Sequence, residues 1–340
     1  MVRTLLTFVT ICALCAFRVN AQAAPSIRLV QTIGLPGVTG HFDHFGVDQK
    51  HGRLFATLQA QGTVQVFEAR SGKKLGDITG IGKPHAVLYR ADIDRLYITD
   101  GNHDWGKVHI VDGKTFQVLK TINLAPGAEQ FGYDSSDKFL YIANGGHDAG
   151  ATFGFVSVVD TTSGEKLADI KVETPNLEGV AVENSGSRVF VNDRLHSQVV
   201  VIDRKQRAVI GNWPISDAKL NVAMALDEAG HRLFVGCRSG KIVVFNITDG
   251  TETASLAIGE GVDDLTFDPS SKRIFAATGA GAGSLHVFQQ VDPDHYQAVG
   301  EMASAPGGKN GIYVPGVHRY FVGVPQHDTA DTSILVFDVH

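Results

Sequence analysis

The sequence predicts an all-β fold: a seven-bladed β-propeller of four-stranded antiparallel blades, closed by its N-terminal strand completing the last blade. Three observations carry this expectation. A basic residue followed by an aromatic among small and aliphatic residues recurs seven times. The strand pattern around each copy is the same. The last copy lacks a fourth strand, and the start of the chain resembles one. The copies are Arg53-Leu54-Phe55, Arg95-Leu96-Tyr97, Lys138-Phe139-Leu140-Tyr141, Arg188-Val189-Phe190, Arg232-Leu233-Phe234, Arg273-Ile274-Phe275 and Arg319-Tyr320-Phe321. The aromatic anchors stand 42, 44, 49, 44, 41 and 46 residues apart. Spacing of this order marks a repeat architecture.

The chain opens with Met1-Val2-Arg3-Thr4, a mostly apolar run from Leu5 to Phe17, and Ala21-Gln22-Ala23. A charged start, an apolar run too short to span a bilayer and a small-x-small site predict a secretory signal over 1–23. The propeller then occupies 24–340 as one domain. Cys12 and Cys15 fall in the signal, which leaves Cys237 alone. One thiol closes no intramolecular disulfide, so stability has to come from a buried core. Removing the signal leaves 28 basic and 36 acidic residues, a net charge of −8 with His neutral. That balance opposes a nucleic-acid partner, which needs phosphate-neutralising basic surface. No other long apolar run follows, so the mature chain is expected to be periplasmic or secreted, without a membrane span, and monomeric.

Ile27 to Ile33 is strand-like and resembles the fourth strands of the repeats, such as Gln117 to Ile122. Each repeat then begins with a short apolar strand often ending in an acid, as in Phe45-Gly46-Val47-Asp48 or Leu265-Thr266-Phe267-Asp268. A polar turn leads to the anchor strand, a variable loop to a third strand such as Thr63 to Phe67, and a turn such as Ser71-Gly72-Lys73 to a fourth. Short strands punctuated by Gly and Asp turns make a meander. No sustained 3.6-residue apolar period appears, so essentially no helix is expected. The final repeat stops after Ser333 to Val339. Pairing Ile27–Ile33 beside it would remove an exposed sheet edge.

Leu96-Tyr97-Ile98-Thr99-Asp100 and Leu140-Tyr141-Ile142-Ala143-Asn144 resemble the tyrosine-valine-threonine-asparagine (YVTN) repeat of the YncE-like exported seven-bladed propellers. The resemblance covers about residues 26–340. It implies the fold and export. It implies no activity, because that family has no agreed catalytic motif. Some members have been linked to DNA binding, which the acidic charge of this chain opposes.

Propellers bind at the face where the loops entering the first strands open over the channel. Counting five residues back from the end of each first strand gives Asp43, His85, Glu129, Glu178, Val222, Asp263 and Asn310, with His41, His44, Gln130, Asn221 and Asp264 beside them. These are the candidate ligand-binding residues. Lys83, Lys219 and Lys309 sit near the same mouth. A His-Asp pair also recurs in the second-to-third loops, at His103, His147 and His327. Imidazole and carboxylate together suit a divalent metal, the candidate cofactor, with His44, Glu178, Asp263, His103, His147 and His327 as ligands. Solvated loop polarity and turn capping account for the same residue types. Strand parity allows one inward residue per blade unless the entry is irregular, because neighbours in a strand point to opposite faces. No Gly-x-Ser-x-Gly elbow or Cys-x-x-Cys motif is present in the mature chain. The expected function is an exported binding or scaffold propeller, with a small ligand or an exported protein as partner. The alternative is a metal-dependent, lactonase-like hydrolase or lyase.

Overall fold

The computed structural model describes residues 27–340, so the signal predicted over 1–23 lies outside the described residues. Seven four-stranded antiparallel sheets follow one another. Blade 1 is Gly46–Asp48, Arg53–Leu58, Thr63–Glu68 and Lys74–Ile78. Blades 2 to 6 occupy 84–124, 128–172, 177–214, 221–257 and 262–303. Blade 7 takes three strands from the end of the chain, Asn310–Val314, Arg319–Val324 and Ser333–Val339, and its fourth from the beginning, Ile27–Gly34. Ile27 lies opposite Val339 and Gly34 opposite Ser333, so the first described strand is hydrogen-bonded to the last. Two three-residue 3-10 turns, His147–Ala149 and Pro315–Val317, are the helical elements among the described residues.

The seven anchor aromatics are all at or below 2% exposure. Each stands on the second strand of its blade and packs between neighbouring sheets. Phe55, for example, joins Val64 and Val66 of blade 1 to Val87, Leu96 and Ile98 of blade 2. Burying an aromatic of this size contributes roughly 1.5–3 kcal/mol, so the period is the spacing of the core. The last cluster closes the ring: Val314, Phe321, Ile334 and Val336 of blade 7 pack on Phe42, Leu54 and Phe67 of blade 1. The recurring basic residue before each anchor has a framework role. Arg53 donates to Asp48 at 2.7 Å and Arg319 to Asp338 at 3.1 Å, at the end of the sheet away from the entry loops.

The entries to the first strands are irregular. In blade 3 Ala128 lies opposite Asn144 but Phe131 opposite Ile142, which leaves one extra residue on the first strand at Glu129 and Gln130. The same one-residue bulge falls at His85 and Ala86, at Glu178 and Gly179, at Val222, and at Asp263 and Asp264. Blade 1 has it between the Phe42–Leu58 bridge and the Gly46–Phe55 pair. A bulge turns successive side chains to the same side and re-aims them. Only Gly fits beside Glu178: a Cβ on Gly179 would lie 2.5 Å from the Val222 carbonyl oxygen. Blade 7 has no bulge, and Asn310 pairs in register with Gly323.

Candidate functional site

Because of the bulges, both residues of an entry pair can reach the channel, and parity does not limit the site to one residue per blade. Asp43 Oδ2 lies 2.6 Å from His85 Nδ1, while the next residue, His44, places its own Nδ1 2.6 Å from Asp264 Oδ1. Asp263 and Asp264 are likewise both buried and both engaged. Asp263 accepts from Arg238, from Lys309 Nζ at 2.8 Å and from Asn310 Nδ2 at 3.2 Å. Asp264 accepts from the Gly311 amide at 3.1 Å.

Two joined cavities occupy this end. The inner one, of about 200 Å³, is walled by Asp43, His44, Gln59, Arg238, Asp263 and Lys309. The outer one, of about 430 Å³, is walled by His147, Asp148, Leu195 and the backbone of Gly101, Gly127 and Gly145. Lys83, Glu129, Glu178 and Arg194 line both.

His85 is 1% exposed. Its Nε2 donates to the Gly101 carbonyl at 2.8 Å, and its Nδ1 faces both Asp43 and Glu129. Burial by itself would lower its pKa, but Glu129 and Asp43 outweigh burial and raise it to about 10. His44 behaves in the same way: burial opposes its charge, and Asp264 and Asp43 carry its pKa well above the usual value. Burial would raise Asp43 and Asp263. Asp43 is nevertheless lowered by His44 and His85, and Asp263 is held well below the carboxylate range by Lys309, Arg238 and His44.

Glu178 is the exception. Burial, then Glu129 and Asp263, push it up to about 7, against the pull of Arg238 and of Arg194, whose Nη1 donates to it at 3.1 Å. A raised carboxyl pKa means that the native state holds the proton more tightly than the unfolded chain. Stability is therefore lost as pH rises from about 4.5 through 7. Glu178→Gln is expected to stabilise the protein by about 1–3 kcal/mol at pH 8, the range allowing for solvent at a side chain one-fifth exposed, and by almost nothing near pH 4.5. Urea unfolding at the two pH values measures this, and an equal difference at both would disprove it.

The inner charges nearly balance. Four permanent cations line the inner cavity, Lys83, Arg194, Arg238 and Lys309, together with His44, whose pKa is raised. Four carboxyls line it with them, Asp43, Glu129, Glu178 and Asp263, and Asp264 stands behind His44. Lys83 is held by its backbone, whose amide donates to Asp100 Oδ1 at 2.8 Å. Asp100 is itself fixed by His109 Nε2 and Trp105 Nε1, each at 2.9 Å.

Several expected site residues lie elsewhere. Asn221 is fully buried in the framework, donating to Asn192 Oδ1 at 2.8 Å and to the Gln198 carbonyl; its neighbour Val222 lines the inner cavity instead. His41 lines the inner cavity from its exposed rim, and Gln130 lies 3.2 Å from His44 Nδ1. Lys219 is exposed on an outer groove. The proposed metal set is not brought together. His103 and His147 each pair with their own neighbour, Asp104 at 3.0 Å and Asp148 at 3.2 Å, on exposed loops, and His327 turns to the Pro325 carbonyl. These loops stand on the rim, whereas His44, Glu178 and Asp263 sit in the inner chamber. The group whose ligand atoms converge within 4.8 Å is Asp43, His85 and Glu129. It fits a metal poorly, because one imidazole nitrogen is committed to a backbone carbonyl and the other is already taken up by two carboxylates. Cys237 is buried, and burial raises its thiol to about 12, so it is no nucleophile.

Arg194, Arg238 and Gln59 were not expected in the site. Gln59 Nε2 donates to Asp43 Oδ2 at 2.6 Å. All three stand four residues after an anchor, where the other blades carry Gly101, Gly145, Gly279 and Pro325. A long polar side chain at that one repeat position was the available signal.

No protein-family model matches the chain. It is similar to Antigen Lp49 of Leptospira interrogans, 22% identical over 267 residues that cover 72% of this chain and 54% of that protein. It is also similar to the seven-bladed beta-propeller protein Rv1057 of Mycobacterium tuberculosis, 25% identical over 150 residues, 44% of this chain and 36% of that protein. The chain thus spans about half or less of these relatives. Among solved structures, a chain of the mitotic checkpoint complex superposes with a TM-score of 0.76 at 14% identity, covering all of both chains. A chain of Kuenenia stuttgartiensis hydrazine synthase gives 0.72 at 17% identity, over 87% of this chain and 97% of that one. At such identities the structural likeness speaks for the fold alone, and sheet order, ring closure and likeness agree on a seven-bladed β-propeller.

Proposed function

We propose that this protein is an exported binding propeller that takes a small ligand at the channel mouth. The observation that carries the reading is the convergence of entry residues from blades 1 to 4 and 6, with Arg238 of blade 5 and Lys309 ahead of blade 7, on two joined cavities of about 430 and 200 Å³. Their size suits a small molecule, and a few convergent polar groups in such a cavity set its orientation. The predicted signal supports a ligand outside the cytoplasm, and the acidic chain argues against nucleic acid. Leu195 is half exposed on the outer wall, so Leu195→Trp should fill the mouth without disturbing the core. Compounds that raise the melting temperature of the wild type and not of Leu195→Trp support the reading; shifts equal in both would refute it.

The metal-assisted hydrolase or lyase is the second reading, favoured by the Asp43, His85 and Glu129 convergence. A divalent ion there has to expel the His85 proton and approach four permanent cations, at a cost in affinity. Metal analysis of the purified chain is therefore expected to find no stoichiometric divalent ion and no melting shift with chelator. One ion per chain, lost in Glu129→Ala, would reverse the preference.

A further inference from the structure

We propose that the ligand of the mouth is a small organic monocarboxylate, with its carboxylate received by Lys83, Arg194 and Arg238. This rests on the mouth being the binding site. The chain as a whole is acidic, yet one cation of its inner mouth stands without a carboxylate partner. Lys83 lines both cavities, is only half-buried, and has no carboxylate within ion-pair distance among the described residues. The other inner cations are engaged: His85 with Asp43 and Glu129, His44 with Asp264, Lys309 with Asp263.

The two arginines are only partly engaged. Arg194 spends one Nη1 contact on Glu178, and Arg238 spends one Nη2 contact on Asp263 while its buried Nε has no partner. A guanidinium has five N–H donors in a planar fork that matches a carboxylate. Lys83 and Arg194 lie on the walls of both cavities and Arg238 on the inner one, so an anionic head seated at the junction can meet all three while its organic body occupies the outer cavity. That outer wall contributes Pro175, Leu177, Leu195 and Leu220. A single unpaired cation favours a monoanion over inorganic phosphate or sulfate, because a second negative charge would face Glu129, Glu178 and Asp263 without a counterion. Glu178 is then the internal competitor: it holds Arg194 until a ligand carboxylate replaces it.

The test is calorimetric binding and melting shift at pH 8 with the full mature chain. The probes are acetate, lactate, benzoate and phenylacetate, with inorganic phosphate, sulfate, and benzamide as the uncharged counterpart of benzoate. At least one carboxylate is expected to bind, with phosphate, sulfate and benzamide silent. Lys83→Met is expected to weaken that binding about tenfold or more, the worth of one charge-assisted contact. Glu178→Gln is expected to tighten it several-fold by releasing Arg194, an effect that a merely destabilised fold would not give. No carboxylate binding, or equal binding of benzamide or phosphate, overturns the proposal. If compounds of another charge class prove sensitive to Leu195→Trp, the mouth remains the binding site and only the ligand class falls. If a carboxylate binds and is indifferent to Leu195→Trp, Lys83→Met and Glu178→Gln, the mouth itself is the wrong place.

Discussion

Replacing Asp263 by Ala is expected to cost about 3–5 kcal/mol of stability, the range for breaking a buried ion pair on one side. Asp263 is the anionic hub of the inner mouth, 5% exposed, between Arg238 and Lys309 and bonded to Asn310. Its removal leaves two cations facing each other in a partly dehydrated chamber. Its low pKa implies the same dependence: stability is present above the unfolded value near 4 and is lost as pH falls through the lower folded value. Denaturant titration at pH 7 and pH 3 measures both effects, and the difference between wild type and Asp263→Ala should shrink at the acid end. Combining Asp263→Ala with Arg238→Met and Lys309→Met should recover much of the loss, since a buried charge network is often replaceable by apolar groups. A loss below about 1 kcal/mol at pH 7 would show that water already screens the hub.

Removing residues 27–34 is expected to abolish stable folding of the ring, or nearly so. The strand pairs along the whole of Ser333–Val339, and Ile27 packs with Phe275, Tyr320 and Phe337. Flanking bonds add to it: Leu35 donates to the Thr332 carbonyl at 2.8 Å and Gln31 to the Ser71 carbonyl at 2.8 Å. Seven paired residues at about 0.5–1.5 kcal/mol per hydrogen bond, with the lost burial, amount to a stability on the order of 5–10 kcal/mol, comparable to that of a whole domain. The strand left bare contains Ile334, Val336 and Phe337, and such an edge pairs with other chains. The truncated chain should therefore aggregate. A peptide of residues 27–34 added during refolding should restore a soluble species by strand addition. A truncated chain that purifies as a monomer with an unchanged melting temperature would refute the closure argument.

How far the site could be read beforehand depends on the kind of physics involved. Asp43, His85, Glu129, Glu178 and Asp263 follow from the repeat, because each holds one place ahead of its anchor. The pairing of Asp43 with His44 on the same side does not, because a bulge is set by how two strands register and not by alternation along one of them. In blade 7 the absence of that bulge gives the last position to Lys309 and Asn310 together, both on Asp263. The three repeated His-Asp positions do not converge: His147 lines the outer cavity, whereas His103 pairs with Asp104 on an exposed loop and His327 turns to the Pro325 carbonyl.

The architecture was written in the chain because it depends on local and periodic quantities. Anchor spacing, strand length, turn residues and a missing last strand are properties of one stretch compared with another, and burial of one aromatic per blade enforces them. The character of the mouth depends on distances between residues far apart in sequence. His44 owes its charge to Asp264, 220 positions away. Glu178 owes its near-neutral titration to burial and to Glu129 and Asp263 from other blades. Coulomb energies and desolvation are functions of separation in space, and only the closed ring sets that separation.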